Sequence, residues 1–350
     1  MIQEKEEDNK ELLDVNPIET ISPTKHVNLD FYNTELNNEN IRLCNAIPIN
    51  ALMGQKLLID KNEKEQTIRM QLHDNCRLLV ENFKDAKNLE KQLDSATTNP
   101  LLVYLVARLT EQNHHKEKNK ENLNRKIELS VKEYMECRGL KSYSKVKEQI
   151  KKDSHLLFSC WLDWHEEKPH YYCLKHKTRI LADITEIKYG KLTLTFTQEI
   201  AELLVNSYLM TIPAYYWKAS KVGKPLLYRI WTLRRIKLNP KKKKQNPDDF
   251  IVKTPNLLKY INVLPTHDKV KKSKNRYPYE RIIEPFEKGL DELENEKLLK
   301  WEYCNKNGKP LTEKELESMN KWKTFSTKFI RITTHAFQSK VALANNISCL

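Results

Sequence analysis

Two stretches of this chain, roughly residues 128–197 and 254–304, carry one order of signals: a short capped helix, a basic helix, then strands around a polar turn. Such a duplication predicts two small modules in tandem, helix-rich with small antiparallel sheets, and therefore an α+β chain.

In the first copy Ser130 lies three residues before Glu133, ahead of Val131, Tyr134 and Met135. At that spacing a serine and a glutamate satisfy backbone N–H groups reciprocally at a helix start. Gly139 stops this helix. A second helix starts at Ser142 or Ser144 and runs to about Ser154, with Val146 and Ile150 inward and Lys145, Lys147, Lys151 and Lys152 outward. An apolar run, Leu156 to Trp164, and a polar excursion, His165 to Lys177, come next. A hairpin then reads from Ile180 to Ile187, through the turn Lys188-Tyr189-Gly190-Lys191, into the alternating Leu192, Leu194 and Phe196. Helix, basic helix, strand, wing and strand make a winged helix.

In the second copy Thr254 caps a helix whose first residue is Pro255, where a missing N–H costs nothing, and that helix ends near Pro265. A longer helix covers about Tyr277 to Leu293, with Ile282, Ile283, Phe286, Leu290 and Leu293 at helical spacing. Lys271, Lys272, Lys274, Arg276 and Arg281 lie on or just before its first turns. The strand Trp301 to Cys304 and the turn Asn305-Lys306-Asn307-Gly308 form a second wing. Thr312 and Glu315 open a further short helix by the same capping logic.

The organisation that follows has five parts. Residues 1–40 are an acidic tail read as disordered, and 41–115 a helical region of unassigned role whose clearest helix follows Pro100. Residues 116–236 form the first winged helix with two following helices, Thr197 to Tyr208 and Pro225 to Ile236; its approach, 113–126, is a charged loop. A basic linker with Pro240 and Pro247 occupies 237–253, and the second winged helix 254–340.

Charge points to a polyanion as partner. The net charge is +14, yet residues 1–40 hold three lysines against ten carboxylates, so the remaining 310 residues carry +21. Within 241–281 twelve Lys or Arg face four acids, the density that backbone phosphates require, although a solvated linker accounts equally well for Lys241 to Lys244. No apolar run approaches the eighteen residues of a membrane span, and Met1 to Asp14 is too acidic for a signal peptide. Seven cysteines without regular spacing fit reduced thiols, so the reading is a cytoplasmic protein with no membrane partner.

Catalytic signatures are missing where they would be recognised. None of the six glycines opens a phosphate-binding loop, and Gly223-Lys224-Pro225 has proline where such a loop needs a hydroxyl. No His-x-His pair is present to hold the metal of a rolling-circle nickase; His114 and His115 are adjacent in a polar loop. His165, His170, Cys173 and His176 are zinc-type donors, but structural zinc sites show tighter Cys-x-x-Cys pairs. The plainer reading is a wing whose Lys168, Lys175 and Lys177 face phosphates, and exposed strand polarity accounts for Asp183 and Glu186. The expectation is a non-enzymatic protein without a metal or cofactor.

Leu129 to Leu140 with the basic helix after it, and Arg276 to Leu293 followed by Trp301-Glu302-Tyr303, resemble the tandem winged-helix replication initiators of plasmids, the Rep proteins. The resemblance covers roughly residues 95–335; residues 1–95 depart from the pattern. It implies an initiator that grips repeated origin sites in double-stranded DNA, melts or bends an AT-rich segment and brings host helicase or its loader, with a homodimer as one of its states.

In such modules a recognition helix puts its first residues at base edges while nearby cations hold phosphates. The candidates are Ser142, Tyr143, Ser144, Lys145, Lys147, Lys151 and Lys152 in the first module. Those of the second are Lys271, Lys272, Ser273, Lys274, Asn275, Arg276, Tyr279 and Arg281. Arg276 and Arg281 suit bidentate pairing with guanine, whereas Lys151, Lys152, Lys271 and Lys272 suit phosphates. A transcription regulator with the same modules satisfies the sequence equally, and a nickase or small primase stands as the reading from another class.

Overall fold

A computed structural model describes residues 40–45, 58–62, 67–73, 76–80, 98–113, 123–168, 171–187, 190–237, 248–261, 263–274 and 276–334. The first elements are β1 (Asn40–Asn45), β2 (Leu58–Asn62), β3 (Thr67–His73), β4 (Cys76–Val80) and α1 (Thr98–Asn113). Then come β5 (Lys126–Ser130), α2 (Val131–Arg138), α3 (Tyr143–Phe158), β6 (Cys160–Lys168), β7 (Tyr171–Arg179), β8 (Leu181–Ile187) and β9 (Lys191–Phe196). α4 (Gln198–Val205), β10 (Tyr208–Pro213), a 3-10 turn at Ala214–Trp217 and α5 (Gly223–Lys237) lead to β11 (Asp249–Lys253). The chain continues through α6 (Thr254–Leu258), α7 (His267–Lys271), a π-turn at Tyr279–Ile283, α8 (Glu284–Asn295) and β12 (Leu299–Cys304). It closes with α9 (Glu313–Glu317), α10 (Trp322–Phe325) and β13 (Phe329–Thr334).

Two three-stranded antiparallel sheets repeat one topology, β5-β9-β8 and β11-β13-β12. In each, the strand before the helices pairs with the last strand of the hairpin that follows them. α1 precedes β5 as α5 precedes β11, so the order helix, strand, helices, strand, wing, strand occurs twice, with β6 and β7 inserted before β8 in the first copy and α9 and α10 before β13 in the second. Both halves are winged helices.

The local signals act largely as the sequence predicts, although of the reciprocal Ser130–Glu133 exchange only the serine half is seen, the Glu133 carboxylate pairing with Arg108. The Ser130 hydroxyl accepts the Glu133 N–H at 3.4 Å, and Gly139, at φ 61°, ends α2 in the left-handed conformation. In the second wing Asn305 Oδ1 accepts the N–H groups of Asn307 and Lys309 at 2.9 and 3.1 Å, while Gly308 takes φ 76°. Thr312 and Glu315 close both bonds of a capping box at 3.1 and 3.4 Å.

Five readings need correction. Among its described residues the stretch 41–115 supplies the strands β1 to β4 beside the helix α1, so it is not the helical region expected. β1 pairs with the distant β10 and β4 with the distant β6, so their order comes from partners rather than from their own periodicity. The polar excursion His165 to Lys177 belongs to the hairpin β6–β7, which joins the sheet β2-β3-β4-β6-β7. Thr254 is the first residue of α6 rather than its cap, and its hydroxyl donates to Lys328 O at 2.9 Å. α6 also stops at Leu258, and a separate helix α7, capped by the Thr266 hydroxyl on Lys269 N–H at 3.3 Å, begins after Pro265. The segment 237–253 ends as β11, and residues 1–39 and 238–247, with Lys241 to Lys244, lie outside the described residues.

α1 is buried all round: Leu101, Leu102, Val103, Leu105, Val106 and Leu109 are at most 1 % exposed. α3 leans on it through the buried Asp153, whose Oδ1 accepts the Thr98 hydroxyl at 2.8 Å and Gln149 Nε2 at 3.0 Å. A carboxylate removed from water needs such donors, and these fix the rotation of α3 against the core. No described helix is long and apolar enough to cross a membrane.

Candidate nucleic-acid interface

In α3 the buried Ile150, Ser154 and Leu157 face inward, while Ser144, Lys145, Glu148 and Lys152 are exposed. Ser142, the N-cap, and Tyr143 are exposed as well; Lys147 and Lys151 are half-buried at the edge of that face. The first-module candidates thus share one outward stripe and the helix N-terminus, where backbone N–H groups and the helix dipole favour an anion.

The wing reaches back to this helix. Gly190 has φ 78°, and a Cβ placed there would run into the Tyr143 hydroxyl. The turn therefore needs glycine twice, for its left-handed backbone and for the approach of the ring. Gly190→Ala is expected to destabilise the module by about 1–2 kcal/mol and to move Tyr143. A urea midpoint unchanged from the parent chain would contradict this packing.

α2 holds the stripe in place from behind. Arg108 of α1 forms ion pairs with Glu111 at 2.9 Å and with Glu133. The Tyr134 ring meets Tyr104 edge to face at 5.3 Å, and Tyr134 Oη accepts Arg138 Nη1 at 3.0 Å. Burial pushes the Tyr134 phenol up to about 12, so it stays a neutral part of the core.

In the second module Lys271, Lys272, Lys274 and Arg276 are exposed beside the start of the recognition helix. Ser273 and Arg281 are half-buried and joined: Arg281 Nη1 donates to Ser273 Oγ at 2.6 Å, and Ser273 Oγ donates to Val270 O at 2.7 Å. Asn275 lies outside the described residues. Tyr279 is 41 % exposed, and Tyr277, which the sequence reading did not select, is 66 % exposed. Its position between Arg276 and Pro278, ahead of the apolar face that begins at Ile282, was the available signal.

Pro285 accounts for the π-turn Tyr279–Ile283. It has no N–H for the carbonyl of Arg281, and its ring crowds that carbonyl, so the turn before it widens. The widened turn carries Tyr279 and Arg281 and is continuous with α8.

The described thiols Cys44, Cys137, Cys160 and Cys304 are all unpaired, and burial raises each, Cys44 to about 11 and Cys160 to about 12. Cys44, Cys160 and Cys304 are buried in the core and Cys137 packs against it. Among the described residues no group of three or more His, Cys, Asp or Glu is placed to hold a metal ion. Of the His165, His170, Cys173 and His176 set, His170 lies outside the described residues and the side chains of the other three, like that of Glu186, are not described; Asp183 is exposed.

No protein-family model matches the chain, and no curated protein matches it. Among solved structures the chain is similar to a selenomethionine crystal structure of domains 2 and 3 of RctB. The identity is 12 %, the match covers 83 % of this chain and 99 % of that one, and the TM-score is 0.43. A second crystal structure of RctB domains 2–3 is similar at 11 % identity, with 81 % and 92 % covered and a TM-score of 0.37. The WH1 domain of MSBI1.176, a replication protein isolated from a multiple sclerosis patient, is 12 % identical over 35 % of this chain and 95 % of that one, with a TM-score of 0.24.

Proposed function

We propose that this protein is a non-enzymatic replication initiator that binds repeated sites in origin DNA through both winged helices. The observation that carries the reading is the repeated module, each copy with an exposed cationic helix start beside a glycine-bearing wing. Each recognition helix enters a major groove by its N-terminal end, where Ser142, Ser144 and Lys145 in one module and Arg276 and Tyr279 in the other meet base edges. Lys151, Lys152, Lys271 and Lys272 hold phosphates on either side. Two modules on one chain bind consecutive groove segments of a single site, which suits direct repeats.

The sequence resemblance to plasmid Rep proteins adds origin melting, recruitment of a host helicase or its loader, a homodimeric state and a cytoplasmic setting. A repressor built on the same modules is the competing reading.

Footprinting of the purified chain on the DNA flanking its own gene, with random duplex in excess, separates them. Several directly repeated protected sites, each spanning about two helical turns, support initiation. One palindrome supports repression, and protection no better than on random DNA rejects specific binding altogether. Replacing Lys271 and Lys272 together by alanine is expected to lower the slope of log affinity against log salt by about two. An unchanged slope would remove both from the phosphate contacts.

A further inference from the structure

α5 belongs to both halves of the molecule. Towards the first half, Arg235 Nε donates to Leu209 O at 2.9 Å and the Thr232 hydroxyl reaches Met210 Sδ at 3.6 Å, both on β10. Towards the second, Arg234 Nε pairs with Asp248 Oδ1 at 2.5 Å, and the Arg229 guanidinium lies 3.7 Å from the centre of the Tyr260 ring.

Across from α5 stands α8, the continuation of the second recognition helix, in unusually close contact. A Cβ on Gly289 would lie 2.7 Å from Val222 Cγ1 and 2.9 Å from Leu226 Cδ1, so only glycine lets the two helices approach this far. One turn on, Glu292 Oε1 accepts the Ser220 N–H at 2.7 Å and the Tyr215 hydroxyl at 3.0 Å. Gly223 leaves the space that the same carboxylate occupies. Ser220 begins the turn that starts α5, so the carboxylate also sits at the positive end of that helix dipole.

Tyr215 gives this contact its reach. Its neighbour Tyr216 is buried, and Trp217 meets Tyr104 of α1 edge to face at 6.2 Å, inside the first module. Three consecutive aromatic residues thus divide between the modules: two seat in the first, and Tyr215 holds α8 of the second. Because α8 and the π-turn are one continuous helix, whatever fixes α8 also fixes where Tyr279 points and where the segment bearing Arg276 joins that helix.

We propose that Glu292, with Gly289, is the positioning residue that sets the spacing and angle between the two recognition helices, and so the number of base pairs allowed between the two halves of a binding site. The proposal rests on the DNA-binding reading above. A rigid junction engages both half-sites only when their separation matches, whereas a loosened one tolerates mismatch at the cost of ordering.

The test uses the full chain and two probes: the duplex protected in the footprint, and the same duplex with five base pairs inserted between its protected halves, about half a helical turn. The parent chain is expected to lose roughly 100-fold in affinity on the insertion, and Glu292→Ala roughly tenfold or less. Glu292→Gln keeps an acceptor oxygen without the charge and is expected to fall between; it carries the comparison if the alanine variant does not fold. Thermal midpoints and affinity for the uninterrupted probe separate loosening from unfolding. Equal loss in parent and variant overturns the proposal, and so does a parent chain indifferent to the insertion. Failure of the DNA reading looks different, with neither probe preferred over random duplex.

Discussion

Alanine in place of Phe286 is expected to destabilise the protein by about 3–5 kcal/mol. Phe286 is fully buried at the start of α8, and its ring meets Phe325 edge to face at 5.8 Å. Phe325 in turn packs on Trp322 at 5.7 Å and Tyr303 at 6.4 Å, so one truncation opens a cavity beside an aromatic cluster drawn from α10 and β12. The lost transfer energy and the unfilled volume add, because α8 is already held close by Val222 and Leu226 at Gly289, one turn on, and cannot settle into the gap. A urea midpoint near that of the parent chain would show that the second module has another centre of stability.

Alanine at Arg276 is expected to cost about 1–3 kcal/mol on the specific site while leaving affinity for random duplex nearly intact. Arg276 is exposed just ahead of the π-turn, where its fork is available for the two acceptors of a guanine. Arg281, half-buried and bonded to Ser273, is placed more as a brace for that turn. Competition binding with scrambled duplex measures the difference, and equal loss on both DNAs would make Arg276 a phosphate contact instead.

The parts of this fold legible in the sequence are those decided within a few residues. Ser130 with Glu133, Gly139, Thr312 with Glu315 and the Asn305 to Gly308 turn each satisfy backbone groups locally, so their spacing alone identifies them. The two recognition helices were legible for the same reason, from one apolar stripe each. Thr254 misled because its hydroxyl answers a carbonyl seventy-four residues away rather than its own helix. β1, β4 and the hairpin β6–β7 stayed hidden because a strand's order resides in its partner. Of the candidate interface, the charges were readable one by one. The contact between Gly190 and Tyr143, and the bond that turns Arg281 inward, required the chain to be folded.

The pairing of β1 with β10 has a consequence for how the protein is made. Asn40 meets Pro213 and Asn45 meets Tyr208, partners about 170 residues apart at the outer end, so this clasp is among the last contacts of the first half that a growing chain can complete. Until it closes, β10, the strand on which Arg235 and Thr232 of α5 rest, lacks its neighbour in the sheet. The second module therefore emerges onto a seat that the earliest described strand has to finish, and the order of synthesis builds the first winged helix before the geometry between the halves exists.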